Sequence, residues 1–249
     1  MALLDIFDEY DRKARILPAV IVLSPGLCTF LIFLPEIRRS SIFLLASGVV
    51  SVALVYLAAH VVRFLGASVE QSLWKSWGGA PSTRLVRWRD ETLGQRTKAQ
   101  LHADLESRFG VGLNSEGVEA KDPIGADAVI ADAFRHVREY LRLHDAEGLW
   151  QKHNVEYGFA RNLLGGRWLF SMVALSGAGA CYISATLTHG ERSTEGLMLN
   201  IFMLLIWLPF AWLVLPLMVK HAAERYAERA WLTFGELARE NRSTVGEKR

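Results

Sequence analysis

Cysteine is nearly missing from this chain of 249 residues, which holds two, Cys28 and Cys181. Each falls inside a long apolar run and no C-x-x-C occurs. Both therefore read as small packing residues, and neither a disulfide framework nor a thiolate metal site is expected. Also missing are G-x-x-x-x-G-K-[ST], G-x-S-x-G and H-E-x-x-H, which removes the phosphate loop, the hydrolase elbow and the zincin helix as sources of activity. No catalytic residue and no cofactor is expected. The most telling shortage is of charge. Charged residues make up 22% of the chain, yet residues 16–35, 41–66, 168–190 and 197–219 hold none except Arg63.

Each of these four stretches is at least 20 residues long. At about 1.5 Å per residue, a helix of that length crosses a hydrocarbon core of about 30 Å. A helix in a water-soluble core does not need to be apolar on every face. The expected fold class is an all-α membrane protein, with four transmembrane helices in two hairpins and a mostly helical cytosolic insertion domain. The first run is expected to stay in the mature chain. Residues 1–15 mix Asp5, Asp8, Glu9 and Asp11 with Arg12, Lys13 and Arg15, and the run exceeds the roughly 7–15 residues of a signal core.

Lysine and arginine accumulate on the cytoplasmic side of spans. Arg12, Lys13 and Arg15 precede the first stretch, fourteen Lys and Arg lie from Lys75 to Arg167, and Lys220, Arg225 and Arg229 follow the fourth stretch. The opposite loops hold Arg38 with Arg39, and Arg192. This asymmetry predicts a bacterial inner-membrane protein with both termini and the central block in the cytoplasm. The expected divisions are residues 1–66, an N-terminal segment with the first hairpin; 67–167, the cytosolic helical domain; 168–219, the second hairpin; and 220–249, a C-terminal helix and tail.

Helical periodicity continues outside the spans. Leu101, Leu105 and Phe109 form one stripe, and Ile130, Phe134, Val137 and Leu141 another, with residues 110–125 read as a glycine-rich loop between them. Ala223, Tyr226, Ala227, Ala230, Trp231 and Phe234 predict a helix that continues the fourth span. Its stripe suits packing on the chain's own domain, or self-association. Leu3, Leu4, Phe7 and Tyr10 suggest a short interfacial helix.

Within the spans, small residues concentrate in the third, including Ser171, Gly177, Gly179 and Ser184, and in the second, including Ala46, Ser47, Gly48, Ala58 and Ala59. Close backbone approach across small residues holds helices together in lipid, so the second and third spans are expected to pack on each other. The functional alternative is that Ser171, Ser184, Thr186 and Thr188 line a pore in a homo-oligomer. Pro18, Pro25, Pro209 and Pro216 each remove a backbone donor and favour kinks. His60 and Arg63 lie one turn apart at the inner end of the second span, where Arg63 can snorkel to the headgroups.

The candidate ligand site is residues 74–98. Arg84, Arg87, Arg89, Arg96 and Lys98 are interleaved with Trp88, and Gly78–Gly79 with Pro81 implies a fixed turn. Cations beside aromatic faces suit phosphate groups of a nucleotide, an oligonucleotide or a lipid headgroup. The plainer reading is a juxtamembrane strip facing anionic lipid. His136 with Glu139 and His153 with Glu156 each share a helix face, a spacing common on surfaces, and no metal site is assigned to them. Arg138 and His144 are similar to the Arg–His pairing of HEPN ribonucleases, confined here to a single helix.

The run Trp77-Gly-Gly-Ala-Pro-Ser-Thr-Arg84, continued by Arg89-Asp-Glu-Thr-Leu93, Thr97-Lys98 and His102, stands with Asn154-Val-Glu-Tyr-Gly-Phe-Ala-Arg-Asn-Leu163 before the third span. Together they resemble a group of bacterial multi-pass inner-membrane proteins. In architecture the chain also resembles membrane effectors of nucleotide-signalling anti-phage systems, which join short spans to a cytosolic sensor and disrupt the membrane when triggered. The resemblance implies a ligand-gated oligomer, with a nucleotide signal or a protein partner from the same operon as its trigger. A membrane-anchored binding or scaffold protein, whose spans serve only to anchor, is the alternative.

Overall fold

The computed structural model describes residues 8–37, 41–188 and 190–246. Leu3, Leu4, Phe7, Arg38 and Arg39 lie outside the described residues, as do the side chains of Ala46, Ser47 and Thr188. No strand occurs among the described residues. A π-helical segment, Asp11–Ile16, leads into α1 (Leu17–Ile37), followed by α2 (Ser41–Ser76), α3 (Pro81–Arg84), α4 (Gln95–Phe109) and α5 (Glu116–Lys121). After these come α6 (Pro123–His144), α7 (Leu149–Gly165), α8 (Arg167–Thr188), α9 (Glu191–Pro209), a second π-helical segment (Phe210–Val214) and α10 (Leu215–Gly246). Four helical runs are long and apolar enough to cross a membrane: Asp11–Phe33, Val50–Arg84, Arg167–Leu187 and Glu191–Glu240. The all-helical class and the four candidate spans agree with the hydropathy pattern. Residues 110–125 are less of a loop than their glycines suggest, because α5 forms inside them.

The chain divides into two compact units, Met1–Glu70 with Val155–Lys220, and Gln71–Asn154 with His221–Arg249. In the first, α8 packs along α9 and α1 lies against both. Its buried positions are mostly small, among them Ala14, Ala19, Ala58, Ala174 and Ala211, while Phe64, Leu187 and Leu217 are about 70% exposed or more (71%, 77% and 69%). Small side chains inside and large apolar ones outside suit helices whose outer face meets lipid, where close approach replaces the hydrophobic drive.

Prolines explain much of the local geometry of this unit. Both π-helical segments end immediately before a leucine–proline pair, Leu17–Pro18 and Leu215–Pro216, and each leucine N–H donates five residues back, to Arg12 and Phe210. A proline ring collides with the carbonyl four residues earlier, and one widened turn relieves that collision. Pro18 cannot give the Ala14 carbonyl the usual helical bond, and the Asn162 Nδ2 group donates to that oxygen instead at 2.6 Å. Likewise Pro25 cannot serve Ile21, whose carbonyl accepts from Ser24 Oγ at 2.7 Å.

The second unit encloses a conventional apolar core. Leu101 and Leu105 of α4, Ile130, Phe134, Val137 and Leu141 of α6, and Ala227, Ala230, Trp231 and Phe234 of α10 are all buried together. The α10 stripe is thus occupied within its own unit. Phe109 stacks on Phe234 at 5.5 Å, and the Trp231 indole N–H donates to the Ser82 carbonyl at 2.8 Å. A fully buried tryptophan that keeps its polar atom bonded fixes α10 against the α3 turn.

Candidate functional site

Residues 77–98 fold into a closed network of charges. Arg87, 8% exposed, forms a two-pronged pair with Asp127, Nε to Oδ1 at 2.7 Å and Nη2 to Oδ2 at 2.6 Å. Its Nη1 donates to the Gly78 carbonyl at 2.8 Å. Glycine is required here: Gly79 has φ +128°, and a Cβ on it would strike the Arg87 guanidinium. Arg89 pairs with Glu119 at 2.9 Å and with Asp127 at 3.0 Å. The buried Glu119 carboxylate also accepts the backbone N–H groups of Trp88 and Arg89. The Trp88 indole donates to the Asn114 carbonyl at 2.9 Å. Lys98 is fully buried and donates to the carbonyls of Asp90 and Trp88. Arg84 donates to the Trp77 carbonyl at 3.1 Å and lies 3.6 Å from Asp90 and 3.8 Å from Glu224.

Two titrating groups report this environment. Burial pushes the Asp90 carboxyl up, but hydrogen bonds from Thr92 and the charges of Arg84 and Lys98 outweigh it and leave the group below its ordinary value. His102 is lowered. Burial dominates, and the bond to the Val86 carbonyl and the Glu119 charge offset it only in part. A neutral imidazole is thus wedged beside the Trp88 ring, 4.6 Å away, donating to Val86.

Arg96 differs from the other five residues singled out in this stretch. It is exposed in the first turn of α4 and has no carboxylate partner among the described residues. It borders a cavity of about 420 Å³ between α4 and α10, together with Thr97, Gln100, Asp104, Gly235 and Arg239. Arg239 is exposed and donates its Nε to the Gly235 carbonyl at 2.9 Å. Asp104 is fully buried, with its Oδ1 accepting from Gln100 at 3.1 Å. Gly235 is buried within α10, where glycine costs about 1 kcal/mol relative to alanine. A Cβ there would stand 3.3 Å from Leu101 Cδ2, so the missing side chain lets α10 lie close against α4. The sequence reading found Arg96 but missed Asp104, Gly235 and Arg239.

In the first unit, the four small residues of α8 part ways. A Cβ on Gly177 would overlap Thr29 Oγ1 of α1 and stand 2.8 Å from Asn200 Oδ1 of α9, whereas one on Gly179 would meet nothing within 4 Å. Asn200 is fully buried and donates to Thr29 Oγ1 and to the Gly196 carbonyl, both at 2.9 Å. The second span was expected beside this small face. At Gly177 the neighbours are α1 and α9. Ser171 Oγ bonds back to the Arg167 carbonyl and Thr186 Oγ1 to that of Ile183, while the Ser184 and Ser193 hydroxyls meet at 2.9 Å between α8 and α9. Of these contacts only Ser184–Ser193 joins two helices; Ser171 and the exposed Thr186 bond back within α8.

The run from Asn154 to Leu163 builds a second polar knot. The Tyr157 hydroxyl donates to Glu70 at 2.5 Å and Arg161 pairs with the same carboxylate at 3.2 Å. Burial works against the Arg161 charge, yet the Glu70 carboxylate overrides it and raises the guanidinium above its ordinary value. Alongside, a Cβ on Gly165 would collide with the Gly66 backbone, so α2 and α7 approach as closely as helices can.

His136 stacks on the Phe109 ring at 5.7 Å with the planes inclined by 30°, and Glu139 pairs with Arg142. Arg138 sits over Phe134, and the His144 ring stacks on Tyr140. No group of three or more His, Cys, Asp and Glu gathers in metal-binding geometry among the described residues. Compared with known proteins, the chain matches no family model, no curated protein and no solved structure.

Proposed function

We propose that this chain is an oligomeric inner-membrane effector of the channel type. In this reading its four spans form two hairpins and its polar unit, in the cytoplasm with both termini, senses a ligand or partner. The observation that carries it is the pairing of four span-length helices with a separately cored polar unit that holds a cavity bordered by Arg96 and Arg239. The architectural resemblance to membrane effectors of nucleotide-signalling anti-phage systems supports loss of membrane integrity as the output. A pore in such a molecule lies between copies, because the hydroxyls of Ser171 and Ser184 are engaged within the chain. Binding of a phosphate-bearing ligand, first expected of Arg84, Arg87, Trp88, Arg89, Arg96 and Lys98 together, falls to Arg96, since the other five are engaged with protein groups.

A second reading, a membrane-anchored binding or scaffold protein, is favoured by the internal use of the small residues around Gly177. A membrane-potential dye separates the two. Expression with the trigger present should depolarise cells if the protein is an effector. Unchanged potential under every trigger that the polar unit binds leaves the scaffold reading.

A further inference from the structure

We infer that an apolar groove beside α9 holds one acyl chain of an anionic phospholipid, with Arg167 as the partner of its phosphate. The inference goes beyond the effector reading and requires only that α8 and α9 cross a bilayer.

The groove encloses about 240 Å³. The rings of Phe170 and Trp207, both buried and stacked at 4.1 Å, border it together with Leu199, Phe202 and Ile206, which are exposed. No charged residue borders it. The indole N–H of Trp207 is spent on the Arg167 carbonyl at 3.1 Å. Water in such a hollow would find no hydrogen-bond partners, so hydrocarbon fills it.

Its depth matches a single leaflet. From Leu199 to Phe210 the helix rises about 16 Å, and half of a hydrocarbon core is about 15 Å. Asn200, next to Leu199, faces Gly177 halfway along α8, whereas Trp207 bonds to the first residue of α8. The groove therefore runs from mid-bilayer to the edge marked by Arg167, the course an acyl chain takes.

A charge waits at that edge. The Arg167 guanidinium lies over the Trp212 ring at 5.1 Å and has no carboxylate or hydrogen-bond partner among the described residues. Trp168, 61% exposed, meets the same ring edge-on at 4.9 Å. Tryptophans gather at the headgroup level, and an unpaired guanidinium there suits the free oxygens of a lipid phosphate. A span from a second copy could fill the groove, but the four apolar stretches hold no acidic residue to answer Arg167. A zwitterionic headgroup carries its own cation beside the phosphate, which leaves an anionic lipid as the occupant that serves both groove and charge.

Native mass spectrometry of the detergent-purified full-length protein tests this, with phosphatidylglycerol and phosphatidylcholine of identical acyl chains as probes. Phosphatidylglycerol should bind about fivefold or more tightly. Arg167→Gln should remove that difference, and Arg167→Lys should keep most of it. Residue 167 bonds to Ser171 and Trp207 through its carbonyl, which every substitution retains, so these variants should keep the fold. Ile206→Trp, at an exposed position, fills the groove and should weaken the binding of both lipids. Equal binding of the two lipids, an unaltered preference in Arg167→Gln, or unaltered binding in Ile206→Trp would overturn the inference. Light scattering that shows Ile206→Trp breaking up an oligomer of the native protein would also overturn it, because the groove would then hold a second copy.

Discussion

Gly177 and Gly179 stand two residues apart in α8 and should answer the same substitution in opposite ways. An alanine Cβ at 177 would overlap Thr29 Oγ1 and press on Asn200 Oδ1, while at 179 it would enter open space. Overpacking of a close helix crossing costs about 1–3 kcal/mol. Separating α1 from α9 would also strain the Asn200–Thr29 bond, worth about 0.6 kcal/mol on average between membrane helices. Gly177→Ala should therefore destabilise by about 2 kcal/mol, lowering Tm by roughly 4–8 °C for a chain of this size. Gly179→Ala should leave Tm unchanged or raise it slightly, since alanine is the better helix former. Thermal unfolding in detergent, followed by tryptophan fluorescence, reads both. Adding Thr29→Ala removes the nearest clashing atom, so the Thr29→Ala/Gly177→Ala pair should lose less than the sum of its parts. Equal losses from the two glycine variants, or an unchanged Gly177→Ala protein, would refute the triple crossing of α1, α8 and α9.

Three further outcomes follow from the polar contacts. Arg87→Ala removes the two-pronged bond to Asp127 and leaves the Gly78 carbonyl unserved; it should cost about 2–3 kcal/mol, read by the Tm of the purified protein. Asn162→Leu leaves the Ala14 carbonyl without its donor beside Pro18, at a cost of about 1–3 kcal/mol, and adding Pro18→Ala, which restores a helical N–H, should recover part of it. His102 has a lowered folded value, so the unfolded chain takes up its proton first as pH falls. Stability should be level above the ordinary value of about 6.5 and decline below it. His102→Gln, which keeps the donor to Val86, should flatten that decline in a series of melts between about pH 7 and 5.

The spans were legible because lipid demands apolar side chains on every face, and 20 uncharged residues in a row leave no competing soluble reading. The α4, α6 and α10 stripes were legible because a single face of each helix is buried, which repeats apolar residues at helical period. The basic stretch misled because its counter-charges are remote: Glu119 and Asp127 lie 30 and 40 residues beyond Arg89 and Arg87, and linear sequence shows cations without the carboxylates that fold onto them. The cavity was hidden likewise, since Arg96 and Arg239 come to border one space only where α10 lies against α4. Asn200 did leave a signal, a lone amide in an apolar run. Its partners, Thr29 and the bare backbone at Gly177, follow from helix crossing angles that no local pattern encodes. Within residues 110–125, α5 was missed because a six-residue helix containing Gly117 has almost no periodicity to read.

The placement of the polypeptide across a bilayer is tested most directly by thiol labelling on intact cells. In a Cys28→Ala/Cys181→Ala background, Ser115→Cys and Thr194→Cys would be exposed in turn to a membrane-impermeant maleimide. The account predicts that position 194, in the first turn of α9, reacts from outside, and that position 115 reacts only after the membrane is permeabilised. Labelling of position 115 in unbroken cells, or protection of both positions until lysis, would contradict it.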